Sequence, residues 1–231
     1  KEEIVTIPVP EVDEALCDGC GECGIFCKYH AIVTFGTAPL IFPELCHGCG
    51  GCAMVCPTKA IREMGRRIGV VDTIKSEHIT LIGGRLDVGV AMAPPLIRAV
   101  KKRLSDNMPA ILDAPPGTSC PVIAAIRETD IVLLVTEPTP FGLNDLSLAV
   151  DMVRELQIPF AVIVNRMGSG DGRIHDFCKK ENIPILIDIP DDRHIAEAYS
   201  RGILMVDALP EYRNLFNQLI EKINMTTQKE I

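Results

Sequence analysis

The segment CDGCGECGIFC at residues 17–27 is repeated as CHGCGGCAMVCP at residues 46–57. Both copies space their cysteines as C-x2-C-x2-C-x3-C, a pattern typical of 4Fe-4S clusters. Three thiolates at i, i+3 and i+6 wrap a loop tightly enough to bind three corners of a cubane, while the fourth lies too far along the chain and ligates the other cluster. The spacing therefore predicts two clusters, one held by Cys17, Cys20, Cys23 and Cys56 and the other by Cys46, Cys49, Cys52 and Cys27.

The same cysteines admit two other interpretations, which the sequence disfavours. Structural zinc takes four ligands per ion, normally as two separated C-x2-C pairs, so the third and fourth cysteine of each run would be surplus. Disulfides are disfavoured because cysteines three residues apart make poor partners and because nothing in the sequence indicates export. We therefore predict a protein that moves electrons.

The internal repeat extends beyond the cysteines. It also matches Gly19 with Gly48, Gly21 with Gly50, and Ala31-Ile32 with Ala60-Ile61. The glycines allow backbone N–H groups to approach cluster sulfurs, and the Ala-Ile pairs predict an apolar cover that excludes water. Roughly residues 11–64 resemble the bacterial two-cluster ferredoxin. One departure is Lys28, which stands where the first run should have proline, and we interpret it as a surface lysine without a role.

Length and composition leave room for a second domain. The chain has 231 residues, 47% of them hydrophobic, and no tryptophan. Its net charge of -8 argues against nucleic acid as a partner. No apolar run is long enough for stable membrane insertion, and the first residues lack a signal peptide. Because 4Fe-4S clusters are oxygen-labile and the cysteines are expected to be reduced, we predict a cytoplasmic location.

From about residue 79 onward, short apolar runs alternate with amphipathic stretches. The apolar runs predict strands at 79–82, 110–112, 131–135, 160–164, 185–187 and 204–206. The amphipathic stretches predict helices at 95–104, 121–128, 143–156, 174–180, 192–201 and 211–223. Continuous apolar strands separated by helices are typical of a parallel sheet covered on both faces. The sequence therefore predicts a doubly wound α/β domain.

Polar residues or special backbone follow four of these predicted strands. They are 113–117, 136–138, 165–166 and 188–191. Any one of these segments could serve only as a turn or a helix cap, but four on one edge of a sheet favour a ligand site. Their types suit a nucleotide with Mg²⁺: a carboxylate organises the metal and water, glycine N–H groups bind a phosphate, and an amide reads a base edge.

Two of these segments resemble motifs of the MinD-like P-loop ATPases. The segment DAPPGT at residues 113–118, preceded by AIL, looks like the Walker B and switch II region of that family. IVNR at residues 163–166 is similar to its adenine-reading strand, and IPD at residues 189–191 to the loop that covers the base. The resemblance implies that Asp113 is catalytic. It also implies that ATP contacts Pro115, Gly117, Asn165, Arg166, Pro190 and Asp191.

The group of MinD-like ATPases with an inserted two-cluster ferredoxin domain is similar across essentially the whole chain. Further matches are RLDVG at residues 85–89 and AMAPP at residues 91–95. On this basis we predict a connecting segment at residues 1–10, a small α+β ferredoxin-like domain at 11–66, and a nucleotide-binding α/β domain at 67–231. The sheet of that last domain is P-loop NTPase-like but incomplete.

No G-x4-G-K-[ST] motif occurs in the 231 residues. The nearest glycine-rich segment, GSGDG at residues 168–172, lacks the lysine and the hydroxyl and is interpreted as a flexible loop. In the resembling family, the P-loop, its helix and the switch I aspartate precede the ferredoxin insert. Because a sheet without its central strand would expose apolar edges, we expect a fragment of a longer protein rather than a naturally truncated paralogue.

The resemblance implies an ATPase whose nucleotide state is linked to two low-potential clusters. Such a protein would pass electrons, or a cluster, to a partner protein, and the family usually forms homodimers that close around ATP. Two alternatives stay open: a ferredoxin-like electron carrier on a nucleotide-inactive scaffold, and an iron-sulfur cluster carrier or assembly ATPase. We expect no hydrolysis from this chain alone, because the phosphate-binding lysine loop is not among its residues.

Overall fold

The structure is a computed structural model that describes residues 1–36, 38–105 and 107–227. The chain divides into two compact units, Lys1–Asp113 and Ala114–Ile231. No helix in the described ranges is long and apolar enough to cross a membrane. The domain boundaries expected from the sequence, at residues 10/11 and 66/67, stay a prediction.

The first unit contains a long antiparallel sheet and a small hairpin. Its strands are β1 (Glu2–Val12), β2 (Ile32–Phe35), β3 (Ala38–Ile41), β4 (Ile61–Lys75) and β5 (Thr80–Leu86), and its helices are α1 (Glu22–Phe26), α2 (Gly51–Val55) and α3 (Pro94–Lys101). The long sheet has the order β1-β4-β5, and β2 pairs with β3. A short 3-10 helix at Pro43–Leu45 leads into the second cysteine run.

Alternation along β1 explains which face of the long sheet is buried. Val5, Ile7 and Val9 are buried at every second position, so one face of the strand packs on the core while the other meets water. These residues belong to a hydrophobic cluster that also contains Ile68 and Val71 of β4 and Leu96 of α3. A second cluster contains Cys23, Ile32, Cys52, Cys56, Ala60 and Ile61, and therefore combines cysteines with the Ala-Ile cover.

The second unit contains a parallel sheet with the order β6-β7-β8. Its strands are β6 (Val132–Thr136), β7 (Phe160–Met167) and β8 (Ile185–Pro190), and its helices are α4 (Cys120–Ile126), α5 (Pro140–Glu155), α6 (Arg173–Lys180), α7 (Arg193–Ser200), α8 (Met205–Ala208) and α9 (Arg213–Thr227). The central strand β7 is apolar and buried from Ala161 to Val164, as expected for a strand covered on both faces. Val150 of α5 and Ile174 of α6 are fully buried in the cluster around it.

Three predicted strands are wrong in their pairing or their type. The stretch predicted at 79–82 belongs to β5, which runs antiparallel to β4 in the first unit and not in the parallel sheet. The chain between these strands is a tight turn in which the N–H of Ser76 donates to the carbonyl of Ile79 at 2.8 Å. A parallel connection needs a dozen or more residues, so a turn this short can only give antiparallel pairing.

The stretch at 110–112 is not a strand. It belongs to none of the sheets formed by the described residues, and Ile111 is 100% exposed. A strand exists only when a neighbouring strand satisfies its backbone groups, so an apolar sequence without such a neighbour stays irregular.

The stretch at 204–206 is also not a strand. It lies at the start of the short helix α8, where the N–H groups of Asp207 and Ala208 both donate to the carbonyl of Leu204 at 3.0 Å. Periodicity alone does not separate a short buried strand from a helical turn.

Candidate functional site

Each cysteine run folds as a loop that turns sharply into a short helix. Gly21 before α1 has φ 80° and ψ -5°, and Gly50 before α2 has φ 72° and ψ -7°. Both lie in the left-handed region that glycine adopts without strain. This turn places two cysteines of each run in the loop and the third in the helix, where Cys23 and Cys52 are buried.

The first cavity brings together cysteines from both repeats. It has a volume of about 380 Å³, open space at its mouth included, and small residues such as Gly19, Ala38 and Ala60 line it. The cysteines that line it are Cys17, Cys20, Cys23 and Cys56.

The second cavity has the reciprocal composition. Its volume is about 390 Å³, open space again included, and Phe26, Tyr29, Ala31 and His47 contribute to its wall. The cysteines that line it are Cys27, Cys46, Cys49 and Cys52. The structure therefore groups the eight cysteines into the same two sets that the spacing predicts.

The arrangement fits a multi-atom cluster better than a single ion. Across residues 1–36, 38–105 and 107–227, no three or more His, Cys, Asp or Glu side chains are close enough together to hold one metal ion. A zinc site would need its thiolates drawn together around one atom. Four thiols spaced around an open cavity are instead what a cubane needs, because each sulfur must reach a different iron.

Burial and hydrogen bonds set the acidity of the cavity thiols. Burial raises the pKa of Cys52 to about 11 and raises that of Cys23 as well. Burial also acts on Cys56, but hydrogen bonds from the Thr58 hydroxyl and from the backbone N–H groups of Ala60 and Ile61 outweigh it and lower the pKa of that thiol. A cluster bound in either cavity would need these groups as thiolates, so binding it would release protons.

Backbone donors and apolar cover complete the surroundings of the sulfurs. The N–H of Ala31 donates to Cys27 Sγ at 3.3 Å, and the N–H of Gly48 donates to Cys46 Sγ at 3.4 Å. Hydrogen bonds of this kind tune a cluster's reduction potential. The Ala-Ile pairs expected to exclude water are buried, with relative exposures of 1% to 8%.

In the second unit, Arg166 of β7 forms hydrogen bonds with residues that follow β6 and β8, at the carboxyl ends of these parallel strands. Its Nε donates to Asp191 Oδ1 at 3.2 Å, after β8, and its Nη1 donates to Glu137 Oε2 at 3.4 Å, after β6. These bonds raise the pKa of the guanidinium, with Asp191 the larger influence. Arg166 itself has φ 54°, an unusual value for a residue with a side chain. The half-buried Asn165 lies beside it in β7.

The loop after β7 packs against the loop after β6. A Cβ atom added at Gly170 would lie 2.7 Å from the carbonyl carbon of Pro138, and closer still to its oxygen. Ser169 Oγ donates to the carbonyl of Arg166 at 2.7 Å. The N–H of Asp191 donates to the carbonyl of Met167 at 2.9 Å, so the segment after β8 is joined to the same edge.

The remaining predicted nucleotide residues lie in exposed positions. Pro115 and Gly117 belong to an irregular loop of the second unit, and Gly117 has φ 93°. Pro190 ends β8 and is exposed. Asp113 is exposed and is the last residue of the first unit. Their roles toward ATP stay predictions.

Sequence reasoning missed three residues at the cysteine cavities. Tyr29 and His47 stack in the wall of the second cavity, with ring centroids 3.6 Å apart and an interplanar angle of 9°. Thr58 Oγ1 lies 3.7 Å from Cys56 Sγ. The internal repeat marks their positions as equivalent, since residue 29 aligns with residue 58 and residue 18 with residue 47, but it does not predict the contacts that they make.

Comparison with known proteins supports both parts of this description. A model of the family described as "4Fe-4S binding domain" matches residues 39–62. The chain is 31% identical over 213 residues to the uncharacterized protein MJ0579 of Methanocaldococcus jannaschii, which is 91% of this chain and 62% of that protein. It is 30% identical over 227 residues to the uncharacterized protein MJ0578 of the same organism, which is 96% of this chain and 76% of that protein.

More distant similarities extend to proteins whose names state a function. The chain is 26% identical over 155 residues to the iron-sulfur cluster carrier protein of Pyrococcus horikoshii, which is 56% of this chain and 52% of that protein. The crystal structure of the Pyrococcus furiosus cell division ATPase MinD superimposes with a TM-score of 0.54 and 24% identity, covering 66% of this chain and 69% of that chain. Together with the parallel sheet and the 4Fe-4S match, this likeness confirms the predicted α/β fold with a ferredoxin-like domain.

Proposed function

The chain belongs to one family with the uncharacterized protein MJ0578 of Methanocaldococcus jannaschii and is a MinD/ParA-like protein with an inserted 4Fe-4S domain; from this premise we propose that it delivers electrons to a partner protein. Two 4Fe-4S clusters hold the electrons, and ATP with Mg²⁺, bound by the complete protein, controls their delivery. Because the chain spans 62% of the length of MJ0579, this activity is proposed for the whole protein.

The pair of four-cysteine cavities carries the electron-transfer proposal. In each cavity, three thiols come from one repeat and the fourth from the other, so both repeats must fold together before either set is complete. A bound cluster supplies one-electron chemistry at low potential. Two of the four cysteines are buried in each cavity, Cys23 and Cys56 in the first and Cys46 and Cys52 in the second, which favours a cluster that is retained while its charge changes.

Cluster carriage is the second candidate function. Relatives that share about half of this chain are named iron-sulfur cluster carrier proteins. A carrier must release its cluster, so its ligands must exchange readily with those of an acceptor. Incubation of the loaded chain with an apo-acceptor separates the two functions: electron transfer leaves the iron on the chain, whereas carriage moves it to the acceptor.

The first test of the proposal is the metal content. Anaerobically reconstituted chain should bind about eight irons and eight sulfides, as two cubanes require. Stoichiometric zinc with little iron would exclude electron transfer as the function.

The second test is the sharing of ligands between the repeats. Cys27→Ala should damage the cluster held with Cys46, Cys49 and Cys52, and Cys56→Ala should damage the other cluster. The two variants are matched, since the repeat aligns Cys27 with Cys56. Electron paramagnetic resonance would identify the cluster that is lost. If Cys27→Ala lost the cluster held by Cys17, Cys20 and Cys23 instead, the assignment would be overturned.

The nucleotide proposal rests on the edge formed by β6, β7 and β8. Asn165 lies at the carboxyl end of the central strand, which is where open α/β sheets bind ligands. Asn165 would read the base, and Arg166 would hold the segment containing Pro190 and Asp191 over it. We further propose that Asp113, Pro115 and Gly117 serve Mg²⁺ and phosphate, and that two copies close around ATP.

A further inference from the structure

The two cysteine cavities differ at positions that the internal repeat makes equivalent. Asp18 and Thr34 line the first cavity, and the aligned residues His47 and Glu63 line the second. Each cavity therefore has one carboxylate in its wall, Asp18 in the first and Glu63 in the second. The number of acidic groups therefore does not distinguish the two cavities, and neither does the backbone donor to the shared cysteine, which is Ala31 for Cys27 and the aligned Ala60 for Cys56.

The residues two positions after the shared cysteines supply such a difference. Thr58, which follows Cys56, places its hydroxyl 3.7 Å from that cysteine's sulfur. With the sulfur bound to iron as a thiolate, the hydroxyl is the only possible donor of this pair. Tyr29, at the matching position after Cys27, stacks on His47 in the cavity wall.

Both features shift cluster potentials, and they do so in the same sense. A hydroxyl that donates to a ligand sulfur stabilises the more negative, reduced cluster and raises its potential. Tyr29 is 47% exposed and His47 is exposed as well, but both rings line the second cavity, and the ring surface that lines it displaces water that would otherwise stabilise the extra charge, which lowers the potential. Two groups at the second cavity act in the opposite direction: the N–H of Gly48, which donates to Cys46 Sγ at 3.4 Å, and Lys28, next to Cys27, which is exposed so that its charge is screened.

We propose that the two clusters are unequal and that the first cavity holds the one of higher potential. An electron taken up by the pair therefore comes to rest on the cluster of Cys17, Cys20, Cys23 and Cys56, and Thr58 and Tyr29 set this direction. The inference rests on the proposed function, because it requires both cavities to hold a 4Fe-4S cluster.

The test is a redox titration of the reconstituted full chain, followed by electron paramagnetic resonance. Titanium(III) citrate gives one electron to each cluster, which passes from the 2+ to the 1+ state as titanium becomes Ti(IV). We expect two midpoint potentials that differ by at least about 59 mV, which corresponds to a tenfold preference of the electron for one cluster. The matched variants Cys20→Ala and Cys49→Ala each leave one intact cluster and so assign the midpoints.

Variants at the two equivalent positions then test the cause. Thr58→Val should lower the higher midpoint and leave the other unchanged, and Thr58→Ser, which keeps the hydroxyl, should restore it. Tyr29→Ala should raise the lower midpoint, whereas Tyr29→Phe, which keeps the stacked ring, should not. These shifts can be read in the intact two-cluster protein if a cysteine variant fails to fold.

The outcomes separate the inference from the function on which it rests. Fewer than about eight irons per chain would contradict the two-cluster proposal before any potential is read. Eight irons with equal midpoints, with the higher midpoint in the second cavity, or with no response to Thr58→Val would overturn the inference alone.

Discussion

Gly170→Ala tests whether the loops at the proposed nucleotide edge are locked together. The new methyl group would lie 2.7 Å from the carbonyl carbon of Pro138, whereas Cβ contacts in real proteins stay above 3.0 Å. Its neighbour is backbone, and Pro138 is itself buried, so no flexible side chain can move aside. Forced backbone shifts of this kind cost about 1–3 kcal/mol. The neighbouring Glu137 accepts a hydrogen bond from Arg166, but this pair is exposed and adds little, so we expect a loss of stability of about 1–3 kcal/mol.

The assay is urea unfolding followed by far-UV circular dichroism, since the chain has no tryptophan to report by fluorescence. Gly172→Ala is the matched control: a Cβ there meets nothing within 4 Å, and its φ is -79°. The entropic gain from alanine and the helix-capping preference for glycine oppose each other there, so the change should stay below about 1 kcal/mol. Equal unfolding midpoints for Gly170→Ala and wild type, or an equal loss in both variants, would refute the reasoning.

Three further predictions concern ATP, its coupling to the clusters, and pH. The chain of 231 residues should show no useful ATP hydrolysis, because it contains no phosphate-binding lysine loop, and hydrolysis by the chain alone would show that the catalytic residues are wrongly assigned. In a complete protein that has such a loop, Asp113→Ala should reduce hydrolysis more than nucleotide binding. In that complete protein, redox titrations with ADP and with a non-hydrolysable ATP analogue should differ by tens of millivolts in at least one cluster, since a tenfold affinity difference corresponds to about 59 mV; identical curves would exclude thermodynamic gating. The pKa of Asp192 is lowered from 3.8 by the backbone N–H of His194 and then by the Tyr212 hydroxyl, so its stabilising effect is complete above pH 3.8 and is lost as pH falls through the lowered value. Asp192→Asn should flatten the acid limb of an unfolding-midpoint series below that pH, and an unchanged limb would contradict this role.

The cysteine pattern could be interpreted from sequence because cluster ligation is mostly a local matter. Ligands three residues apart are held by one loop, and the loop's shape follows from glycines such as Gly21 and Gly50. The long-range part, in which Cys27 and Cys56 each line the cavity of the other repeat, agrees with the prediction drawn from the length of chain between the third and fourth cysteines. The spacing of the cysteines along the chain is therefore enough to predict how they group, without information about residues far away in the sequence.

The strands were harder to predict because the composition of an apolar run does not predict which neighbouring strand, if any, pairs with it. The runs at 131–135, 160–164 and 185–187 correspond to β6, β7 and β8, since helices between them supply the length that parallel pairing needs. The run at 79–82 is also mostly apolar, but a short turn precedes it, and that turn makes its pairing antiparallel. The run at 110–112 met no neighbouring strand among the described residues.

The sequence alone thus determined the two cysteine sets, the buried Ala-Ile cover and the presence of a parallel α/β sheet, because spacing and periodicity act along the chain. Only the tertiary structure decided that Arg166 joins Glu137 to Asp191, and that Tyr29 stacks on His47 while Thr58 approaches Cys56. Those contacts join residues whose distance in space depends on how separate elements pack. A side chain's partner is chosen by that packing, and no local pattern in the sequence records it.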